Sequence, residues 1–228
     1  MAKDHAALAA CLALVVGRAA GLPAPELLAT AGVATGAALL PDLDEPGSTV
    51  SHMLEPISGA VAHITRRLAG GHRMATHSLL AAALAGVGTW ALATFTLGHL
   101  GGVTLPASGI IVALCFALAV RGLLPRHGGL GHVGALIVGC AATWVVARYV
   151  GLGTWVPLAV CGGVVAHLVG DALTTGGVPL AWPISKRHYS LAVLSHTNSW
   201  REHVVGLGLL GLLIAAAWVP VAALIHPA

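Results

Sequence analysis

The sequence predicts an all-α, polytopic membrane bundle with about seven transmembrane segments. Three observations carry that expectation. Hydrophobic residues make up 57% of the 228 and charged residues only 8%, where a soluble domain carries roughly 25%. Mean hydropathy is +0.89. The apolar residues gather in long runs separated by short polar connections, the pattern of spanning helices. A soluble helical bundle carries a far higher density of charge. The net charge of +3 is too small to point to nucleic acid.

The runs are Ala6–Gly21, Leu27–Leu40, Ala75–Leu97, Ser108–Leu124, Leu130–Ala147, Thr154–Gly170 and Val204–Ile225. They read as one integral membrane domain over residues 1–228, with no internal repeat, no low-complexity linker and no convincing cleavable signal peptide. The second run is short for a span of about 20 residues, so it is expected to tilt, thin the bilayer or extend past Pro25. It stops at Pro41, and Asp42-Leu43-Asp44 follows directly. The third is opened by His72-Arg73-Met74-Ala75-Thr76-His77-Ser78. The sixth closes with His167-Leu168-Val169-Gly170-Asp171, and the last follows Asn198-Ser199-Trp200-Arg201-Glu202-His203. Abundant Gly and Ala suit close helix–helix packing. Some of the six Trp are expected to anchor at the membrane interface. Cys11, Cys115, Cys140 and Cys161 lie singly inside apolar runs, as small core residues rather than disulfides or zinc ligands.

Positive residues set orientation. With the N-terminus inside, Lys3, Arg66, Arg67, Arg73, Arg121, Arg126, Lys186, Arg187 and Arg201 fall on the cytoplasmic side, nine of eleven. The expected location is therefore the cell (inner) membrane, multi-pass, with a cytoplasmic N-terminus.

On that topology one set of ionisable residues falls at the cytoplasmic ends of the segments. His5 opens the first run, and Asp42 and Asp44 end the second in an extended turn that directs both carboxylates to one side. His72 lies in the loop entering the third run, with His77 in the first turn of its helix. His167 and Asp171 are four apart on one face of the sixth, and Glu202 opens the last. Each alone has an ordinary reading: a helix-ending turn, an interfacial His, a His–Asp hydrogen bond, a first-turn Glu on the helix dipole. The topology rests on Lys and Arg alone, so the shared leaflet is independent of it. Carboxylates near hydrocarbon are paired or functional. A mixed His/Asp/Glu ring suits one or two divalent ions, zinc first, then manganese or iron. Metal-assisted hydrolysis also needs an open coordination position for water.

The motifs LLPDLDEP, HRMATHS, HLVGDALTTGGVPLAWPIS and NSWREHVV, in that order, resemble the membrane-bound, metal-dependent hydrolases of the LexA-regulated YdjM type. The resemblance spans His5 to about Val205 and implies a multi-pass inner-membrane protein with metal-dependent hydrolase activity. It also implies that Asp42, Asp44, His72, His77, His167 and Asp171 are its site, with Glu202 beside them. The HRxxTH and HxxxD pattern is similar as well to soluble zinc-dependent phospholipases C and related nucleases, whose full ligand order this chain lacks.

The expected activity is hydrolysis of a lipid-linked phosphoester or ester at the cytoplasmic face. His5, Asp42, Asp44, His72, His77, His167 and Asp171 are the candidate ligands, and Glu202, Asp44 and Arg73 the candidate catalytic groups. Arg73, joined by Arg126, Lys186 or Arg187, would bind an anionic head group. The competing expectations are a structural metal site and a metal or ion transporter. A transporter would place ionisable groups near the midplane, where these segments have almost none.

Overall fold

A computed structural model describes residues 2–124 and 131–193, with Gly208, Gly211, Leu212, Ala215 and Trp218 beyond them. Among the described residues the chain is mostly helical. Seven α-helices appear: α1 Ala2–Ala19, α2 Ala24–Ala37, α3 Ile57–Ala69, α4 Leu79–Ala93, α5 Ser108–Leu123, α6 His132–Tyr149 and α7 Trp155–Ala172. Six of the seven apolar runs correspond to α1, α2 and α4–α7. The seventh, Val204–Ile225, lies outside the described residues except for five helical positions. By length and composition, α6 and α7 are long and apolar enough to cross a membrane, while α4 and α5 are shorter apolar helices. At 14 residues, α2 is about 21 Å long, less than the roughly 30 Å hydrocarbon thickness.

The bundle is built around α2, which packs on α1, α5 and α7; α4 packs on α7, and α6 on α5. Ala29, Val33 and Ala37 of α2 meet Val112 and Cys115 of α5 and Trp155, Val156, Ala159 and Val160 of α7. Missing side chains set the spacing. A Cβ on Gly36 would lie 1.7 Å from the Cys115 carbonyl oxygen, and one on Gly163 would lie 2.4 Å from that of Ala34. Backbones this close gain dispersion contact that larger residues would prevent. The approach of α7 to α2 matters for the site, because it brings His167 against the end of α2.

Four features depart from the expected pattern. Asp42 and Asp44 do not lie in an extended turn: Pro41–Asp44 is a 3-10 turn continuing α2, with Pro at its first position, where a missing N–H costs nothing. The helix of the third apolar run, α4, starts at Leu79, after a 3-10 turn Ala75–His77, because Ser78 caps it by accepting from the Ala81 N–H. His77 therefore precedes the helix rather than sitting in its first turn. Beyond α4, Thr96–Leu100 and Val103–Pro106 pair as an antiparallel hairpin of β1 and β2. Gly101 and Gly102, both at positive φ, supply the two-residue turn that such a hairpin requires. Cys11 and Cys115 are buried as expected, but Cys140 is exposed on α6.

Candidate metal centre

The start of α1, the ends of α2 and α7 and the turn before α4 meet at one end of the bundle. His77 and His167 form the middle of the cluster, both fully buried, with their Nε2 atoms 3.2 Å apart. Each ring is fixed from behind. The Nδ1 of His167 lies 2.7 Å from the Ala38 carbonyl oxygen. A carbonyl only accepts, so Nδ1 carries the proton and Nε2 keeps its lone pair. The Thr76 hydroxyl donates to Asp44 and accepts at 2.9 Å from the Nδ1 of His77, which gives that ring the same tautomer. Two nitrogen lone pairs thus face each other across 3.2 Å, an arrangement that requires a shared proton or a cation.

Two carboxylates complete the centre. Asp171 Oδ2 is 3.5 Å from both Nε2 atoms. Asp42 Oδ1 is 3.8 Å from both. Two ligands of one zinc ion at ~2.0–2.1 Å in tetrahedral geometry stand ~3.3 Å apart, close to the observed spacing. Ligand atoms within 4.8 Å of one another also occur as His5, His167 and Asp171, and as Asp44, His72 and His77. The donor set of imidazole and carboxylate fits a divalent ion of the zinc, manganese or iron type.

Around this centre the carboxylates are held by a network. Asp44 is fully buried and accepts from His72 Nδ1 at 2.7 Å, from the Arg73 backbone N–H at 3.2 Å and from Thr76. Burial alone would raise its carboxyl, but the hydrogen bonds from His72, His77 and Thr76 hold it below the ordinary carboxylate range. For His77, burial works against the charged ring; the nearby Asp42 and Asp44 carboxylates overcome it and raise the imidazole to about 9. Arg73 joins the two halves. Its backbone, at φ 58, turns the N–H to Asp44, while its guanidinium bonds Asp171 Oδ1 at 2.8 Å and Thr174 at 3.3 Å. A non-glycine residue in that region costs ~1–2 kcal/mol, and here the strain lets one residue serve two carboxylates. His5 stacks on His167 with centroids 4.1 Å apart, and its Nε2 lies 3.5 Å from Asp171. Gly170 and Gly176 make room: a Cβ would come within 2.5 Å of His5 Nδ1 and 2.6 Å of Arg73 Nη1 respectively.

Over residues 1–226 the sequence matches the family model described as YdjM inner membrane protein. The chain belongs to the YdjM family. No curated protein and no solved structure matches it. Three of the four motifs that carried the resemblance to YdjM proteins, LLPDLDEP, HRMATHS and HLVGDALTTGGVPLAWPIS, converge here, while NSWREHVV lies outside the described residues. His5, Asp42, Asp44, His72, Arg73, His77, His167 and Asp171 stand in one connected cluster. Glu202 and Arg126 lie outside the described residues. Lys186 and Arg187 are exposed on the segment after α7, with Arg187 over the Tyr189 ring.

Sequence reasoning missed Thr76, Thr174 and the Ala38 carbonyl. Thr76 adjoins His77 in HRMATHS, and a hydroxyl next to a candidate ligand was the available signal. A main-chain carbonyl leaves none.

Proposed function

We propose that this YdjM-family chain is a metal-dependent hydrolase of the inner membrane, acting on an amphiphilic, lipid-linked phosphoester or ester. The observation that carries the reading is the pair of facing His77 and His167 Nε2 atoms, each within 3.8 Å of Asp42 and 3.5 Å of Asp171 carboxylate oxygens, with each histidine oriented from behind. Asp42 keeps a quarter of its side chain exposed (24%) while the other three are buried, so the centre opens on one side. A purely structural site would be closed. The placement of the cluster at helix ends rather than mid-bundle argues against transport.

A divalent ion in this set would supply Lewis acidity toward water and toward the oxygen of the scissile bond. The chain's own residues then divide the work. Asp44, buried and weakly basic, orients His77 through Nδ1. Arg73 holds Asp171 by one oxygen, leaving the other toward the histidines, and its positive charge would attract an anionic head group. Glu202 is the candidate general base, since the base must reach water without being used as a ligand. We further propose seven spans with the N-terminus cytoplasmic, which sets the centre at the cytoplasmic face.

The test is turnover of a panel of phospholipids and polyprenyl phosphates by purified protein, with and without chelator. Asp44→Asn, Glu202→Gln and Arg73→Lys run beside the wild type. Turnover abolished by chelator and restored by zinc or manganese supports the reading. Metal bound without turnover of any panel member favours the structural site. Turnover that survives both metal removal and Asp44→Asn overturns the mechanism.

A further inference from the structure

The sequence between the second and third apolar runs folds as α3, and its surface is divided three ways. Ser58, Ala62 and Ala69 face the protein. Ile57, Val61, Ile64 and Leu68 recur at helical spacing on the neighbouring strip and are exposed, Leu68 by 80%. His63, Arg66 and Arg67 occupy the remainder, with Arg66 bonded to Glu45 at 2.7 Å. A helix of this kind, with an uncovered apolar strip opposite basic residues, beds in the head-group boundary of a membrane rather than crossing it. Basic residues at that level complement anionic lipid head groups.

Beside it runs a groove of about 330 Å³, inside the ~300–1,000 Å³ range of small-molecule sites. Leu68 and Ala69 of α3 line one wall, and Leu80, Ala81 and Leu84 of α4 line the other. Trp182 also lines it, on a segment tied to the start of α4 by the Leu79 N–H to Leu180 carbonyl bond. The walls continue outward into exposed apolar surface, through Leu68 on α3 and through Leu84 and Val87 on α4. Ala75 and Thr76, in the same 3-10 turn as His77, line the groove too. Thr76 itself bonds Asp44 and His77.

We propose that this groove holds one hydrocarbon chain of a membrane lipid, taken in sideways between α3 and α4. The inference rests on the hydrolase reading for its purpose: the lipid so held is the substrate, with its polar end kept beside the histidine–carboxylate centre. Its occupancy does not depend on that reading. A water-soluble substrate would need no apolar trough opening onto an apolar surface, and a charged peptide would find few polar groups along it.

The experiment uses full-length protein in nanodiscs containing phosphatidylglycerol with a diazirine on one acyl chain. After irradiation, adducts are mapped by mass spectrometry. Labelling at Leu68, Leu80 and Leu84 is expected to exceed that at Leu158, an exposed leucine of α7 outside the groove, at least five-fold. Ala81→Trp, which fills the groove, and Leu84→Glu, which charges its exposed rim, should each bring groove labelling down to the Leu158 level. Both variants are read only as single, wild-type-like elution peaks, and the rim variant remains informative where the filled one misfolds. Labelling of the groove no higher than at Leu158, or unchanged in both variants, overturns the proposal. Enriched labelling without turnover of any lipid keeps the groove and removes the hydrolase; turnover without enriched labelling does the reverse.

Discussion

Asp42 and Asp44 approach the two nitrogens of the same ring, at 3.8 Å from His77 Nε2 and 3.4 Å from Nδ1. Without metal, His77 is protonated up to about 9, because the proton satisfies the carboxylates around it. A ligating imidazole must be neutral, so metal uptake expels that proton. Affinity should therefore rise with pH. Between about pH 6 and pH 8, Kd for zinc should fall about tenfold per unit as pH increases, measured by competition with a chromogenic chelator. A Kd constant over that window contradicts the assignment. Asp44 stays ionised throughout, so its effect is not a titration but an orientation. Asp44→Asn should weaken zinc binding about 10–100-fold, as loss of a residue behind a ligand does, without loss of fold. His167→Ala and Asp171→Ala should remove bound metal while leaving the detergent-solubilised fold intact; full metal content in both would take them out of the centre. At this scale the sequence was informative about residue types. It could not show that Asp42 and Asp44 take different nitrogens, because that follows from the 3-10 turn, where residues two apart point in different directions.

The helices position these groups by close contact at small residues. Gly163 lets α7 lie against α2, and the Ala38 carbonyl that fixes His167 is one residue past the end of α2. Gly163→Ala should lower the thermal midpoint by about 5 °C or more, from an overpacking cost of ~1–3 kcal/mol, and should reduce bound metal. At its neighbour Gly162, an added Cβ would meet nothing within 4 Å, so Gly162→Ala should be neutral or slightly stabilising through helix propensity. Circular dichroism melts of the two variants check the contrast; equal midpoints would sink it. Six of the described helices were readable as apolar runs. α3 was not, because polar residues dilute its periodic strip of Ile57, Val61, Ile64 and Leu68, and the stretch reads as a loop. The β1–β2 hairpin was likewise merged into the end of the third run and the connection after it, although Gly101-Gly102 marked its turn.

In the whole molecule, a membrane family's helical bundle carries a polar centre at one end. The basic residues predict which end faces the cytoplasm. A reporter active only in the cytoplasm should give signal when fused at residue 60 and none at the C-terminus. Signal at both positions breaks the seven-span arrangement, with the short α2 as the first suspect. The convergence of His5, Asp42, Asp44, His72, His77, His167 and Asp171 was legible because charge is scarce in this chain. Every ionisable group near hydrocarbon had to be explained. The groove beside α3 was not legible, since it depends on how two helices lean together. The measurement that bears most directly on the metal centre is the divalent-metal content of purified full-length protein and of His77→Ala. Both are supplied with zinc and then dialysed against metal-free buffer. About one ion or more per wild-type chain, and less than about a tenth of that in His77→Ala at the same elution volume, is the expected result. A wild-type protein that retains no divalent ion, or a His77→Ala protein that retains its full complement, would contradict it.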